Sequence, residues 1–259
     1  MKQYNILMIM ADQMHKYALG KIAPYVKTPN LDRLAGEGTL FRNAYSNNPV
    51  CGPFRGILYS GMYSRDNGVQ KNDEALSETE VCLPQELQKC GYTTSFVGKL
   101  HLGGSGNQPI PKKYWAGHEH FLGYQCYNGF LKDVCFYDEE GREHRYSGHR
   151  TDITAQLGIE RLQMLADNGR PFLHTIFFQA PHYPEQPLPE YERLYDGIEF
   201  PLPEQYMPID PYTPTFSPPS PQPFEKCPDF RRYGNNIQMY LKLYYAMVTQ
   251  IDANVGKIM

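Results

Sequence analysis

The strongest constraint on the fold is an apolar run near the start of the chain, from residue 6 to residue 11, which ends in Asp12. A continuous apolar run of this kind is typical of a strand buried on both faces, as in a parallel sheet covered by helices. Further strands are predicted at residues 93–97 and at the mostly apolar segment 172–178. Because ligands bind beyond the carboxyl ends of such strands, the polar residues that follow them are site candidates.

Helices are predicted between these strands from capping residues and from apolar residues at three- and four-residue spacing. They cover residues 28–35, 51–59, 83–89, 151–166 and 237–258. The alternation predicts an α/β sandwich with a mostly parallel central sheet and helices on both faces.

The remaining segments are less regular. Residues 39–45 predict one more strand. Residues 104–150 are rich in Gly, Tyr and charge, and residues 184–228 hold most of the Pro residues, so both are interpreted as irregular, substrate-side insertions in a single domain spanning residues 1–259. The histidines of the first insertion lack metal-ligand spacing and are interpreted as solvated: His118, His120, His144 and His149.

Composition narrows the possible partners and location. The chain has 259 residues, a net charge of −3 and 25 scattered Lys and Arg residues, which argues against nucleic-acid binding. No apolar stretch is long enough for a secretory signal or a membrane span, so no membrane partner is predicted. The six Cys residues form no C-x-x-C pair, which favours a reducing, cytoplasmic location.

The candidate functional residues lie in one short motif and directly after two of the predicted strands. Residues 51–55 read Cys51-Gly52-Pro53-Phe54-Arg55, which is the pattern C-x-P-x-R. The strand at residues 93–97 leads into Lys99 and His101, and the strand at residues 172–178 leads into His182. A polar residue at several strand ends indicates an enzyme.

With these motifs the chain resembles the type I sulfatases, formylglycine-dependent enzymes of the alkaline-phosphatase-like superfamily. Five segments match in order: residues 5–13, 28–38, 51–55, 98–103 and 171–184. The resemblance implies an alkaline-phosphatase-like sandwich and the hydrolysis of a small-molecule or saccharide sulfate ester. It also implies a maturation enzyme that oxidises Cys51 to formylglycine, whose hydrated diol is the nucleophile.

The resemblance assigns roles to the other polar residues. Arg55 would hold the diol, and Lys99 would donate to the sulfate oxygens. His101 would take a proton from the second hydroxyl of the diol. His182 would contact the sulfate or protonate the leaving oxygen, and Asn72 would contact the substrate.

The resemblance also implies a metal, Ca²⁺ or else Mg²⁺ or Mn²⁺, bound by oxygen ligands. Asp12, Gln13 and the modified Cys51 would be ligands, with Gln13 standing where many members have a second Asp. The family's later ligands and a further substrate Lys would follow Met259. We therefore expect only the N-terminal portion of a sulfatase, incomplete at the C terminus, which could be inactive as a truncated chain.

Such a portion implies two further properties. The final helix is expected to expose an apolar patch. The patch would favour association into an oligomer or aggregation, and the missing half would belong either to a longer sulfatase of which this chain is a fragment or to a separate chain.

Two alternatives stay open at this point. One is a phosphate or phosphonate monoester hydrolase of the same superfamily. The other is a non-catalytic, sulfatase-like binding protein that keeps the fold. The sequence does not specify the alcohol half of the substrate.

Overall fold

The computed structural model describes residues 3–126, 129–202 and 236–259. One six-stranded sheet forms the centre of this part of the chain. Its strands are β1 (Ile6–Met10), β2 (Thr93–Lys99), β3 (His120–Tyr124), β4 (Val134–Tyr137), β5 (Glu143–Tyr146) and β6 (Phe172–Phe177). The spatial order is β1-β6-β2-β3-β4-β5. The first four in this order run parallel, and β4 and β5 pair antiparallel, so the sheet is mostly parallel as predicted.

Seven helices surround the sheet in the described ranges. They are α1 (Pro29–Glu37), α2 (Cys51–Ser60), α3 (Ser64–Asn67), α4 (Leu83–Lys89), α5 (Arg150–Asp167), α6 (Pro189–Arg193) and α7 (Ile237–Ile258). A short 3₁₀ helix covers Lys112–Tyr114. The predicted helices at these places are confirmed, with ends that differ by a few residues at most.

The two faces of the sheet pack against different helices. Leu7 and Ile9 of β1 belong to a cluster that includes Met247 of α7 and Ala155 of α5. The alternate residues Met8 and Met10 pack in a second cluster with Tyr59 of α2 and with Trp115. Because successive residues of a strand point to opposite faces, helices cover both faces, and the predicted α/β sandwich is confirmed.

The strand predicted for residues 39–45 is wrong. These residues form no regular element, and the side chains of Phe41 and Tyr45 are 78% and 90% exposed. No described strand pairs with this segment. A strand at residues 39–45 would form no hydrogen bonds with a neighbouring strand. The β preference of these residues alone is therefore not sufficient to form a strand.

The interpretation of residues 104–150 as irregular is also wrong. Strands β3, β4 and β5 lie within this range and extend the central sheet, and all four residues of β4 are buried. His118 and His149 are buried rather than solvated. The ring of His118 lies 2.8 Å from the Trp115 carbonyl, and Nδ1 of His149 accepts the Thr151 N–H at the start of α5.

The other two histidines of that range pair with carboxylates at the surface. His120 lies 3.2 Å from Glu139, and His144 lies 2.8 Å from Asp138. In the second predicted insertion, α6 covers Pro189–Arg193, while residues 203–228 lie outside the described residues.

The expected apolar patch on the final helix is not found among the described residues. Helix α7 is buried over most of its length and packs against α1, α5 and α6. Its Asp252 carboxylate accepts the backbone N–H of Leu31 at 2.7 Å and the side-chain amide of Asn30 at 2.9 Å, which satisfies the start of α1. None of the described helices combines the length and apolar character needed to cross a bilayer.

Candidate functional site

Three neighbouring parallel strands end at one edge of the sheet and bring predicted site residues together there. Asp12 follows β1, Lys99 is the last residue of β2, and His182 follows β6. The strands lie in the order β1-β6-β2, and the Asp12 N–H donates to the Ala180 carbonyl at 3.1 Å. This hydrogen bond continues the pairing of β1 and β6 past their ends and fixes the position of Asp12.

Cys51 is the first residue of α2 and lies at this edge. The preceding Val50 offers no side-chain cap, and the Asn72 side-chain oxygen instead accepts the Gly52 N–H at 2.9 Å. A Cβ atom on Gly52 would lie 3.3 Å from this oxygen and 3.4 Å from the His101 carbonyl. The absence of a side chain at residue 52 therefore lets the helix start pack closely against the loop after β2.

The Asp12 carboxylate lies between two buried cations. Its Oδ2 is 2.6 Å from the Lys99 ammonium and 3.6 Å from the Arg55 guanidinium. Arg55 also donates to the Lys99 carbonyl, which ties α2 to the end of β2. Asp12 is 7% exposed, Lys99 0% and Arg55 1%, so solvent screens their charges only weakly.

This arrangement shifts the pKa values of Asp12 and Lys99. Burial alone would raise the pKa of Asp12, but Arg55 and Lys99 outweigh it and lower the pKa to about 2. Burial would lower the pKa of Lys99, and the Asp12 carboxylate reverses the effect and raises it. All three groups are charged near neutral pH, which leaves the cluster with a surplus of one positive charge.

The Cys51 thiol is protonated at neutral pH in these surroundings. Burial, assisted by the negative charge of Asp12, raises its pKa to about 11. A thiolate, not a thiol, is the reactive nucleophile of cysteine enzymes. The site is therefore poorly suited to use Cys51 as an ordinary thiolate nucleophile.

The two candidate histidines are neutral. Burial, with Lys99 and Arg55 nearby, lowers the pKa of His101 to about 3. Burial and Lys99 also lower the pKa of His182, whose Nδ1 lies 2.8 Å from the Tyr183 carbonyl. Since a carbonyl only accepts, Nδ1 of His182 carries the proton and Nε2 keeps its lone pair.

Three of these side chains form a cluster that could hold a metal ion. Ligand atoms of Asp12, Cys51 and His182 all lie within 4.8 Å of one another. A Ca²⁺ shell of about six to eight oxygens is not complete here, because the cluster offers oxygen from one carboxylate only. Conversion of Cys51 to formylglycine would exchange its sulfur for oxygen and improve the match to a hard cation.

Gln13 follows Asp12 in the chain and lines the same cavity as Asp12 and Cys51. Its backbone has φ of 64°, its side chain is exposed, and its carbonyl accepts the Tyr244 hydroxyl at 2.8 Å. Its role as a metal ligand stays a prediction. So does the substrate contact of Asn72, whose side-chain oxygen here holds the start of α2.

A cavity of about 750 Å³ opens at the site. Asp12, Cys51 and Arg55 line it together with apolar side chains such as Phe54 and Leu58. A volume in this range accommodates a small organic ligand, and the polar groups gather at one place on an otherwise apolar wall.

One residue near the site was not predicted from the sequence. Asp73 Oδ1 lies 3.8 Å from Nε2 of His101, and both residues have left-handed φ, 67° and 58°. Nδ1 of His101 is buried without a hydrogen-bond partner among the described residues. The contact joins two separate loops, so no local pattern in the sequence could have indicated it.

Comparisons with known proteins agree with the geometry. A sequence model of the Sulfatase family matches residues 4–259. The chain is 33% identical over 195 residues to an ulvan-active sulfatase of Formosa agariphila, covering 74% of this chain and 38% of that protein. It is 30% identical over 203 residues to an N-acetylglucosamine-6-O-sulfatase of Bacteroides thetaiotaomicron, covering 78% of this chain and 35% of that protein.

The fold is also similar to solved structures. The YidJ protein of Bacteroides fragilis matches with a TM-score of 0.80 and 26% identity, over 99% of this chain and 57% of that chain. The chain thus spans well under two thirds of the length of these relatives. Since the family match covers nearly every residue, the chain belongs to the sulfatase family.

Proposed function

We propose that this chain carries the nucleophile side of a sulfatase active site, which hydrolyses sulfate monoesters with a formylglycine made from Cys51. The observation that carries the proposal is the position of Cys51, with its sulfur within 4.8 Å of both Asp12 and His182 at the edge where the parallel strands end. Family membership supports it, and so does the surplus positive charge of the cluster, which suits an anionic ester.

The first proposed step forms the nucleophile, which then attacks the sulfate ester. A maturation enzyme oxidises the Cys51 side chain to an aldehyde with an external two-electron oxidant such as dioxygen, so that the C–S bond breaks, a C=O bond forms and the sulfur leaves as sulfide. Water then adds to the aldehyde to give a geminal diol. One diol oxygen then attacks sulfur in line while the bond between sulfur and the alcohol oxygen breaks. The alcohol leaves with a proton, and the sulfate is now bound covalently to residue 51.

The second proposed step releases the sulfate. The remaining hydroxyl loses its proton, the aldehyde C=O bond forms again, and the sulfate group leaves. An ordinary serine hydroxyl lacks this route, because its sulfate ester has no second hydroxyl on the same carbon. The scheme therefore requires an aldehyde at residue 51, which a serine side chain does not provide.

The charged and neutral side chains suit different parts of this scheme. Lys99 and Arg55 are placed to stabilise the sulfate oxygens and the diol through charge-assisted hydrogen bonds. His101 and His182 are neutral, so each is able to accept a proton. Burial, together with the nearby cations Lys99 and Arg55, makes His101 a weak base in the free chain, and an anionic ester bound beside it would raise its pKa toward the working range.

A divalent cation, Ca²⁺ or else Mg²⁺ or Mn²⁺, would supply electrostatic stabilisation of the diol oxygen when bound. Asp12 and the formylglycine oxygen are its proposed ligands in this chain, with Gln13 as a further candidate. The relatives named as ulvan-active and N-acetylglucosamine-6-O-sulfatases favour a saccharide sulfate as the substrate class.

The proposal is tested by producing the chain together with a formylglycine-generating enzyme and measuring hydrolysis of aryl sulfate and aryl phosphate side by side. Turnover by this portion alone is expected to be low, since its metal shell is incomplete, but faster on the sulfate than on the phosphate, and it should be lost in Cys51→Ser. Cys90→Ser is the matched control, because Cys90 is an exposed cysteine away from the site. Faster hydrolysis of the phosphate would favour a phosphate or phosphonate monoester hydrolase instead.

A further inference from the structure

Before maturation, the cluster at the strand edge offers three different kinds of donor atom. Asp12 provides a carboxylate oxygen, Cys51 a sulfur and His182 a ring nitrogen, all within 4.8 Å of one another. Oxygen, sulfur and nitrogen donors in one small cluster are typical of zinc sites, whereas Ca²⁺ and Mg²⁺ prefer oxygen ligands alone.

The ring of His182 makes the kind of outer hydrogen bond that a zinc-binding histidine usually makes. Its Nδ1 donates to the Tyr183 carbonyl at 2.8 Å, which fixes the tautomer and leaves the lone pair on Nε2. Metal-binding histidines almost always donate their other ring N–H to a carbonyl, a carboxylate or water. Only 9% of His182 is exposed, so few alternative ring orientations are open to it.

The Asp12 carboxylate is held in a similar way. Both Lys99 and Arg55 contact its Oδ2, at 2.6 and 3.6 Å, so Oδ1 is the oxygen that these cations leave unengaged. Carboxylate ligands of metals are themselves commonly hydrogen-bonded by such outer groups. The two cations oppose a dication by charge, and release of the thiol proton on binding offsets one unit of that charge.

The distances are compatible with a common ion. In a tetrahedral site, zinc bonds of about 2.0–2.3 Å place the ligand atoms about 3.3–3.8 Å apart. The ligand atoms of the cluster lie within 4.8 Å of one another, so side-chain rotations that close the wider gaps by about 1 Å bring them to these separations. A zinc site that is accessible to solvent usually has three protein ligands and a fourth position that stays open.

We propose that the chain with an unmodified Cys51 binds one Zn²⁺ through Asp12, Cys51 and His182. On binding, the Cys51 S–H bond breaks, its proton passes to solvent, and a bond forms between the thiolate and zinc. Conversion of Cys51 to formylglycine removes the sulfur, so the metal preference of the site depends on the state of residue 51. Zinc binding by the unmodified chain does not require that the mature chain hydrolyses sulfate esters.

The test uses the full chain in a preparation whose Cys51 peptide has the mass of an unmodified thiol. Zinc chloride is titrated into it by calorimetry, and cobalt chloride is titrated with absorption detection of thiolate-to-cobalt charge transfer. We expect one ion per chain, and an affinity that falls at least about 100-fold in Cys51→Ser and in His182→Ala, since even losing an outer partner costs about 10- to 100-fold.

Two controls separate this site from adventitious binding. Cys90→Ser and His120→Ala remove another thiol and another imidazole outside the cluster, and both are expected to keep the affinity of the unaltered chain. Unchanged zinc affinity in Cys51→Ser would overturn the proposal, and so would the lack of saturable binding by the folded, unmodified chain. A chain that binds zinc but stays inactive after maturation would support this inference and count against the proposed function.

Discussion

Replacing Asp12 with Asn tests whether this carboxylate stabilises the folded chain by neutralising two buried cations. The substitution keeps the size of the side chain and removes its charge. Lys99 and Arg55, 0% and 1% exposed, would then lose their shared partner while remaining out of contact with water. A charge left unpaired in a protein interior is strongly destabilising, because its lost hydration is no longer compensated.

The magnitude follows from two independent estimates. Removing one partner of a buried ion pair costs about 3–5 kcal/mol of the free energy of unfolding. The pKa of Asp12, lowered from 3.8 to about 2, corresponds to about 2–3 kcal/mol at neutral pH. We therefore expect Asp12→Asn to lower the free energy of unfolding by about 2–5 kcal/mol near neutral pH.

The same pKa shift fixes the pH dependence of the effect. Because the pKa of Asp12 is lower in the folded state, its contribution is fully present above the unfolded value of 3.8 and is lost as pH falls toward about 2. The difference between the unaltered chain and Asp12→Asn should therefore be constant from neutral pH down to about pH 5 and should shrink below about pH 4.

Urea unfolding followed by circular dichroism at several pH values measures both quantities. Asp66→Asn is the matched control, since its partner Arg65 is 85% exposed and the pair should contribute less than about 1 kcal/mol. A cost for Asp12→Asn no larger than that of the control, or one that stays the same at low pH, would refute the reasoning.

Three further predictions follow from single positions. Gly98→Ala should lower the free energy of unfolding by at least about 3 kcal/mol, because φ is 119° and the new Cβ would lie 2.0 Å from a carbonyl oxygen of β6. Gly61→Ala, with φ of 69° and open space around it, should cost only about 1–2 kcal/mol in the same urea assay. Asn72→Ala should cost about 1 kcal/mol by thermal unfolding, because the Gly52 N–H at the start of α2 loses its acceptor. The pKa of His101, lowered to about 3, should keep its ring neutral at about pH 5 in nitrogen NMR spectra.

Each of these has a contrary outcome. Equal costs for the two glycine substitutions would show that the contact at Gly98 relaxes freely. An Asn72→Asp variant that loses as much stability as Asn72→Ala would argue against the capping role, since Asp keeps an acceptor. A His101 ring that titrates near 6.5 would show that the site is more hydrated than its burial indicates.

The sequence was most informative where local chemistry and tertiary structure agree. The apolar run before Asp12 forms β1 as predicted, but β1 is the edge strand of the described sheet and pairs with β6 alone, so its residues are partly buried rather than fully buried. Cys51 begins a helix whose Pro53 suits the first turn. Polar residues at the ends of three predicted strands indicated one site, because the carboxyl ends of parallel strands share an edge.

The parts that the sequence did not indicate depend on contacts between distant residues. Strands β3, β4 and β5 are four or five residues long, and only pairing to β2 and to one another makes them strands. His118 looks like a surface residue in its polar segment, yet the fold buries it beneath Thr175 and Trp115. The contact of Asp73 with His101 likewise joins two separate loops, and the cap from Asn72 to Gly52 joins a loop to the start of α2.

The central claim is that Cys51 is the precursor of the nucleophile. Its most direct test is the mass of the Cys51 peptide after the chain is produced with an active formylglycine-generating enzyme, alongside Pro53→Ala and Arg55→Ala variants of the recognition pattern. The account predicts that the peptide loses its sulfur and gains an aldehyde, which reacts with a hydrazide probe, and that conversion falls in the two variants. A peptide that keeps an unmodified thiol, while a control sulfatase is converted in the same cells, would contradict the account.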